Sequence, residues 1–355
     1  MSEAPPLPPG ARPVRGYEVL VHLTRTGWLD VYDTWSEERR CRCVLKVVRP
    51  GRRGEARLGE RLLREGRWLR EFTHPHLVRA YEVFEVPEPS VVLETLTGET
   101  LARLIGRLRR RPAAADVALL GVQLCSAVHY LHRRGLLHLD LKPSNVVVER
   151  GHAKVLDLSV ARPPGPAPAG VGTWRYRAPE QERGATLTAA ADVWGIGVTL
   201  FEFACGDTPF GRGAGTAESC GADAAESCRG GTVGSCTGGT EGSCCTAGSA
   251  ESRARDPKGT GAGGTEESCE SCESCESCES CESCESCGGD PGGRWPCAAL
   301  PAPPVASRRR LAPALAAAVD SCLRADPSDR PAVAELAAAL DAALPEPYRA
   351  SQAHA

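Results

Sequence analysis

The stretch HLDLKPSN, His138 to Asn145, puts one carboxylate (Asp140), one lysine (Lys142) and one amide (Asn145) within six residues. It follows a helix-like run and precedes a short apolar, strand-like run, VVV. A loop that concentrates a proton acceptor, a cation and an amide between two regular elements is the chain's first candidate for catalysis. What it acts on depends on the elements that position it and on the charged residues those elements bring near.

Three segments near the start alternate in strand fashion: YEVLVHL (17–23), DVYDTW (30–35) and CRCVLKVV (41–48). Their hairpin-length connections predict an antiparallel meander. GEARLGERLLREGRWLREF (54–72) then spaces Leu58, Leu62, Leu63 and Leu69 for one apolar helical face, and LVRAYEVFEV (77–86) and SVVLETL (90–96) resume the strand pattern. The order βββαββ is an α+β signature, not a βαβ one. From Ala113 the texture becomes helical: a long amphipathic run ends at Gly135, a residue suited to a C-cap, and further helices are expected at 188–205, 311–324 and 331–344, the last opening at Pro331. A small sheet lobe thus precedes a larger helical one.

Residues 213–293 differ from everything around them. These 81 residues of Gly, Ser, Cys, Glu and Thr hold almost no large apolar side chain and carry 15 acidic against 4 basic residues. They cannot bury a core, so disorder is expected. The other 274 residues, enough for one two-lobed domain, are net basic at +8, although the whole chain carries only −3. Arginines scattered along an Ala-rich chain read first as a solvated surface, so charge alone assigns no partner. Seven cysteines, Cys269 to Cys287, recur every third residue without the folded spacer that a zinc site places between its C-x-x-C pairs, and read as an expanded repeat. The six cysteines elsewhere show no framework spacing. The N-terminus has no apolar export core, and LAPALAAAV is too short to span a bilayer, so a reduced, cytoplasmic protein is expected.

Seven motifs in order carry a resemblance: CVLK (43–46), Glu65 on the helix after it, HLDLKPSN (138–145), DLS (157–159), GTWRYRAPE (172–180), DVWGIGVTLFE (192–202) and DPSDRP (326–331). The chain resembles eukaryotic-type Ser/Thr protein kinases, especially compact bacterial ones, over nearly all of its length outside the leader and insert. The resemblance implies a protein-kinase-like bilobal α+β fold, with a small antiparallel sheet lobe plus one helix and then a larger, mainly α-helical lobe. Its divisions are a flexible Pro-rich leader (1–14), the N-lobe and hinge (15–96), the first part of the C-lobe (97–212), the low-complexity insert (213–293), the last part of the C-lobe (294–346) and a tail (347–355).

It also implies ATP and magnesium, and transfer of the γ-phosphate to protein Ser/Thr, a reaction that needs an oriented hydroxyl and neutralised phosphate charge. On this reading Lys46 meets the α- and β-phosphates with Glu65 as its ion-pair partner, Asp140 is the catalytic base, Lys142 sits near the γ-phosphate, Thr173 contacts both, and Asn145 and Asp157 hold the metal. Leu93 falls at the gatekeeper position, Glu94 to Leu96 form the hinge for adenine, and Thr24, Thr26, Gly27 and Val31 belong to the phosphate lid and roof. His138 braces the loop, Asp192 anchors it from below, and Glu180 with Arg330 ties the activation segment to the helical lobe. Protein substrates are implied as partners, with no nucleic acid and no membrane; oligomeric state is not legible.

The chain departs from the pattern at three places. The Gly-rich loop keeps only Gly27, with Thr24, Thr26 and Leu29 where glycines belong and Trp28 at the aromatic tip, which predicts a weakened phosphate lid. Ser159 and Leu158 replace the glycine and phenylalanine after Asp157, which predicts a stiffer hinge. Leu139 stands where most such kinases have the arginine that receives an activation-loop phosphate, and Val160 to Gly172 contains no Ser, Thr or Tyr. Missing receptor and missing acceptor agree, so this segment is expected not to be switched by phosphorylation. The degraded lid keeps a pseudokinase or nucleotide-binding scaffold open as an alternative; a small-molecule phosphotransferase is disfavoured, because GTWRYRAPE and DPSDRP build a peptide platform. The insert follows GDTPF, where kinases carry a docking helix, and could tune partner choice.

Overall fold

A computed structural model of the chain describes residues 4–211 and 301–346. The insert, the Cys repeat and the tail lie outside these residues. Strands β1 (Tyr17–Arg25), β2 (Leu29–Ser36) and β3 (Cys41–Val48) form the meander; helix α1 (Ala56–Glu71), β4 (Ala80–Phe84) and β5 (Ser90–Glu94) follow. The five strands are antiparallel in the order β1-β2-β3-β5-β4. On β3 the period of two sends Cys43, Leu45 and Val47 to the outer face and Val44 and Lys46 to the other, with Lys46 in register between Val31 and Val91.

Helix α1 buries Leu58, Leu62, Glu65 and Leu69, a 3.6-residue stripe with one carboxylate in it, while Leu63 lies half-buried off that stripe. The helix approaches the sheet closely at Gly66, where a Cβ would lie 2.5 Å from Val91 Cγ2. The sheet's other face carries a separate apolar cluster of Val14, Tyr17, Val19, Tyr32, Leu45 and Val92, with Leu7 and Ala11 packed on it.

That cover corrects the expectation of a flexible leader. From Ala4 onward the segment is tied to β1 and β2: Gly10 N donates to Val19 O at 2.8 Å, Val19 N to Ala11 O at 2.9 Å, Leu7 N to Tyr32 Oη at 2.9 Å, and Arg25 Nη1 to Ala4 O at 2.9 Å. The prolines give the segment a linker's composition, while the residues between and after them supply the donors and apolar side chains that dock it.

The second lobe opens with β6 (Glu99–Thr100), α2 (Leu101–Arg107) and α3 (Ala114–His132). It continues through β7 (Val146–Glu149), β8 (His152–Val155), β9 (Gly165–Pro166), α4 (Pro179–Arg183), β10 (Thr186–Leu187) and α5 (Ala189–Cys205), and closes with α6 (Pro313–Cys322) and α7 (Val333–Ala342). Helix α3 is long and apolar enough to cross a bilayer by composition, yet it lies between α5 and α7 with Val117, Leu124, Val128 and Leu131 in the core. At Gly121 a Cβ would sit 2.6 Å from Leu340 and 3.0 Å from Leu200, so the three helices meet there through a residue without a side chain. Helix α7 starts two residues after Pro331, because Glu335 reaches back to accept from Ala332 N at 2.9 Å and caps the first turn.

Candidate active site

Period-two β3 and period-3.6 α1 deliver Lys46 and Glu65 to one point: Nζ lies 2.9 Å from Glu65 Oε1 and 3.9 Å from Asp157 Oδ1. Glu65 is buried, and burial pushes its carboxyl up to about 7 against the pull of the Lys46 ammonium, with the Asp157 charge adding to the rise. For Asp157, burial alone would raise the carboxyl, but Lys46, the Ser159 amide and hydroxyl, and Lys142 together hold it below the usual carboxylate range. The two acids thus have opposite characters, one held ionised and one poised near neutrality.

The loop 138–145 is fixed from beneath. Asp192, on α5, accepts from Leu139 N at 2.7 Å and His138 N at 2.9 Å, and His132 Nε2 lies 2.7 Å from it. These contacts hold the loop through a turn in which Leu139 takes φ +64° with its side chain buried. Asp140 emerges with both carboxylate oxygens engaged. Oδ1 accepts from Thr173 N at 2.8 Å and Thr173 Oγ1 at 2.6 Å, while Oδ2 lies 3.0 Å from Lys142 Nζ and 3.1 Å from Asn145 Nδ2. Lys142 Nζ also donates to Thr173 Oγ1 at 2.6 Å. Asn145 commits its amide nitrogen to Asp140, to the carbonyl at 3.0 Å as well as the carboxylate, which leaves its Oδ1 as an open donor atom. Asn145 Oδ1 and the ionised Asp157 carboxylate are hard oxygen ligands suited to magnesium shared with phosphates. Among the described residues no three His, Cys, Asp or Glu side chains converge to cage a metal by themselves.

Ser159 is bound to α1: Arg61 Nε donates to its carbonyl at 2.9 Å and Arg61 Nη2 to its hydroxyl at 3.2 Å, and Ser159 N donates to Asp157 Oδ1 at 2.9 Å. A residue expected only to stiffen the segment after Asp157 therefore also fastens it to the helix carrying Glu65. Arg61 stands one turn before Glu65 on the same side of α1, and no local sequence pattern marks its contact with Ser159.

At the tip of the lid, between β1 and β2, Trp28 is buried, with the Arg61 guanidinium 4.8 Å over its ring. The hairpin satisfies itself: Thr26 N donates to Leu29 O at 2.8 Å, and Thr26 Oγ1 accepts from Leu29 N at 3.0 Å and Trp28 N at 3.4 Å. Arg25 and the buried Asp30 face each other across it in a bidentate pair at 2.7 and 2.8 Å. Glycines would make this hairpin pliable; an ion pair and a hydroxyl clamp make it fixed. Thr24 and Gly27 are exposed, and Val31 is half-buried opposite Thr24.

At the lobe junction Leu93 is buried, the Glu94 carboxylate accepts from Arg79 N at 2.9 Å, Leu96 is half-buried, and Thr95 Oγ1 is buried without a hydrogen-bond partner. The activation segment is held by polar contacts of its own. Gln181 Nε2 donates to Leu139 O at 2.9 Å and Val171 O at 3.0 Å, and Arg177 Nε donates to Gly172 O at 2.7 Å. Gly172 has φ +90°, and a Cβ there would lie 2.4 Å from Leu139 O, so only glycine fits. Sequence reasoning missed Gln181, since nothing in its local pattern marks it. Glu180 and Arg330 form a buried two-point pair at 2.6 and 2.9 Å across 150 residues.

A two-lobed fold that carries a lysine–glutamate pair, an anchored Asp-Lys-Asn loop and a second carboxylate beside the lysine has the layout of a protein kinase domain. The chain belongs to the protein kinase domain family, whose model matches residues 17–340. Its curated relatives are Ser/Thr protein kinases. It is 31% identical over 183 residues to serine/threonine-protein kinase PknB of Mycolicibacterium smegmatis, covering 47% of this chain and 29% of that protein. It is 32% identical over 216 residues to the DNA damage-responsive serine/threonine-protein kinase RqkA of Deinococcus radiodurans, covering 58% and 32%. The chain thus spans about a third of the length of the curated relatives it matches. The kinase domain of Mycobacterium tuberculosis PknI shares the fold, with a TM-score of 0.58 at 19% identity over 95% of this chain and 100% of that one.

Proposed function

We propose that the chain transfers the γ-phosphoryl group of ATP to Ser or Thr hydroxyls of protein substrates, with Asp140 as base. The observation that carries this is the Asp140 carboxylate, fixed by Thr173, Lys142 and Asn145 in the cleft that also holds Lys46 and Glu65. The substrate oxygen forms the new bond to phosphorus, the bond to the β–γ bridging oxygen breaks, and the hydroxyl proton passes to Asp140. Lys142 places a positive charge beside that carboxylate, and Lys46, steadied by Glu65, faces the remaining phosphates. Magnesium, held by Asn145 and Asp157, supplies neutralisation of phosphate charge when bound. Incubation with γ-labelled ATP and a basic protein should put label on Ser and Thr; label confined to Tyr, or to small alcohols, would contradict the reading.

The raised Glu65 carboxyl gives a pH signature. Below about pH 7 it takes up a proton and the Lys46 pair loses its anionic partner. Transfer is expected to rise with pH through an apparent pKa near that value, and Glu65→Gln should remove this limb along with most activity. The group's contribution to stability runs the other way. Its folded pKa lies above the ordinary 4.5, so the folded state holds the proton more tightly, and stability falls as pH climbs from 4.5 to about 7.

On this reading the segment 160–172 needs no phosphate; support comes from Gln181 and Arg177, which hold the Val171 and Gly172 carbonyls, and from the buried Leu139 standing in place of arginine. One observation favours the nucleotide-binding scaffold as second reading: the Thr26 hydroxyl occupies the Trp28 and Leu29 amides that a phosphate would otherwise claim. Thr26→Gly is expected to free them and lower KM for ATP by about tenfold, the value of one hydrogen bond to a charged group, with kcat little changed. An unchanged KM would show that the lid takes no part in binding phosphate.

A further inference from the structure

The lid is clamped at its base by a cluster on the side of the sheet away from Lys46. A regular strand would send His22 and Arg25, three residues apart, to opposite faces, but the β1–β2 register slips between Val19 and Val21 and again between His22 and Thr24. His22 therefore pairs with Tyr32 and Arg25 with Asp30, and these two partners are paired in turn with Leu45 and Val47 of the outer face. Asp30 is wholly buried. It takes Arg25 Nε at 2.7 Å on one oxygen and Nη2 at 2.8 Å on the other, with His22 Nε2 3.1 Å away and the His22 and Tyr32 rings edge to face at 5.1 Å.

The leader completes this cluster. Arg25 Nη1, the arm that Asp30 leaves free, donates to Ala4 O at 2.9 Å, and the Tyr32 hydroxyl accepts from Leu7 N at 2.9 Å. Gly10 N and Ala11 O then bond both backbone groups of Val19. One guanidinium thus joins two parts of the chain: two of its donors fix the last pair before the turn 26–29, and the third is held by a segment outside the sheet. Val31, between Asp30 and Tyr32, is paired with Lys46 on the opposite face, so the cluster and the lysine lie on the two sides of one stretch of β2.

A clamp at the base holds the tip in one state. While Arg25 and Asp30 keep the hairpin closed, Thr26 Oγ1 keeps the Trp28 and Leu29 amides, and a phosphate must compete with it. We infer that Arg25 is a positioning residue of the lid and that the docked leader, residues 4–14, holds it there as a brake on nucleotide binding. Loosening the leader shifts the hairpin toward the state in which those two amides are open to phosphate. Arg49 pins the turn from the other side, donating to Thr26 O at 2.8 Å, so the leader governs how readily the turn opens rather than where it sits. The brake rests on the reading of the site as one that binds ATP; the coupling of leader to lid does not.

The test is amide exchange across residues 26–30 in the full chain without nucleotide, followed by calorimetric binding of a non-hydrolysable ATP analogue with magnesium. Arg25→Gln keeps a polar side chain and loses the three-way contact, while Tyr32→Phe keeps the ring and loses only the acceptor for Leu7 N. Exchange at Trp28 and Leu29 is expected to be about tenfold faster in Arg25→Gln and faster by less in Tyr32→Phe. Arg25→Lys, which keeps the charge opposite Asp30, should fall between Arg25→Gln and the native chain. The analogue is expected to bind about tenfold more tightly to Arg25→Gln, with KM for ATP falling in step and kcat little changed. Combining Arg25→Gln with Tyr32→Phe should give less than the sum of the separate effects, because both release one strap. Unchanged exchange at Trp28 and Leu29, or a lower Tm with exchange and affinity unaltered, overturns the coupling. Weaker binding of the analogue would make the leader a brace and overturns the brake. Faster exchange in a chain that binds no nucleotide would instead sink the ATP reading and leave the coupling of leader to lid standing.

Discussion

Asp140→Asn is expected to lower phosphoryl transfer by about 10²–10⁴-fold, the range that a positioned general base contributes, while nucleotide still stabilises the fold. The amide keeps the shape of the carboxylate and loses its basicity. It also turns one of two accepting oxygens into a donor, so the contacts to Thr173 on one oxygen and to Lys142 and Asn145 on the other cannot all persist. The loop backbone should stay in place, because Asp192 grips the His138 and Leu139 amides rather than Asp140. Single-turnover transfer and nucleotide-dependent melting, measured on the same preparation, separate the two effects. A variant within tenfold of the native rate would mean that the proton leaves the hydroxyl by another route.

Arg330→Leu should cost about 3–5 kcal/mol of stability, the penalty for leaving one member of a buried ion pair alone. The Arg330 side chain is fully buried, stacks 5.0 Å over Trp194, and donates to Ala190 O at 2.9 Å and Arg324 O at 2.8 Å as well as to both oxygens of Glu180. Its loss strands the Glu180 carboxylate at the start of α4 and several carbonyls in the core. Denaturant unfolding measures the cost directly. The double variant Glu180→Leu/Arg330→Leu should recover part of it, because removing both charges is far less costly than removing one. A single variant that lost under 1 kcal/mol would show that the pair is not what closes the end of the activation segment.

What could be read in the sequence divides along physical lines. Lys46 and Glu65 were legible through the motif resemblance, and Asp140, Lys142 and Asn145 because they are crowded into one loop. Element order followed from the strand and helix periodicities, while the short strands β8 to β10 carry too few residues to show one. The closed lid was not legible: Arg25 faces Asp30 only once the hairpin register is set, and Thr26 binds amides within its own turn. Arg61 and Ser159 are 98 residues apart, and Arg330 and Glu180 are 150 apart; the second pair was anticipated through motifs and the first had none. The leader misled because its prolines dominate its composition, while Leu7, Ala11 and Val14 decide where it lies. The Cys-Glu-Ser repeat falls outside the described residues.

The central claim is that a site with a self-bonded lid, and with no Ser, Thr or Tyr from Val160 to Gly172, still transfers phosphate. The most direct measurement is transfer from γ-labelled ATP with magnesium, to the chain itself and to a generic basic protein, for the native chain, Asp140→Asn and Asp157→Asn. The account predicts label incorporation by the native chain, lost in both variants. Absence of transfer by the native chain, with nucleotide still raising its Tm, would contradict it and make the self-satisfied lid of Thr26, Trp28 and Leu29 the defining feature of a nucleotide-binding scaffold.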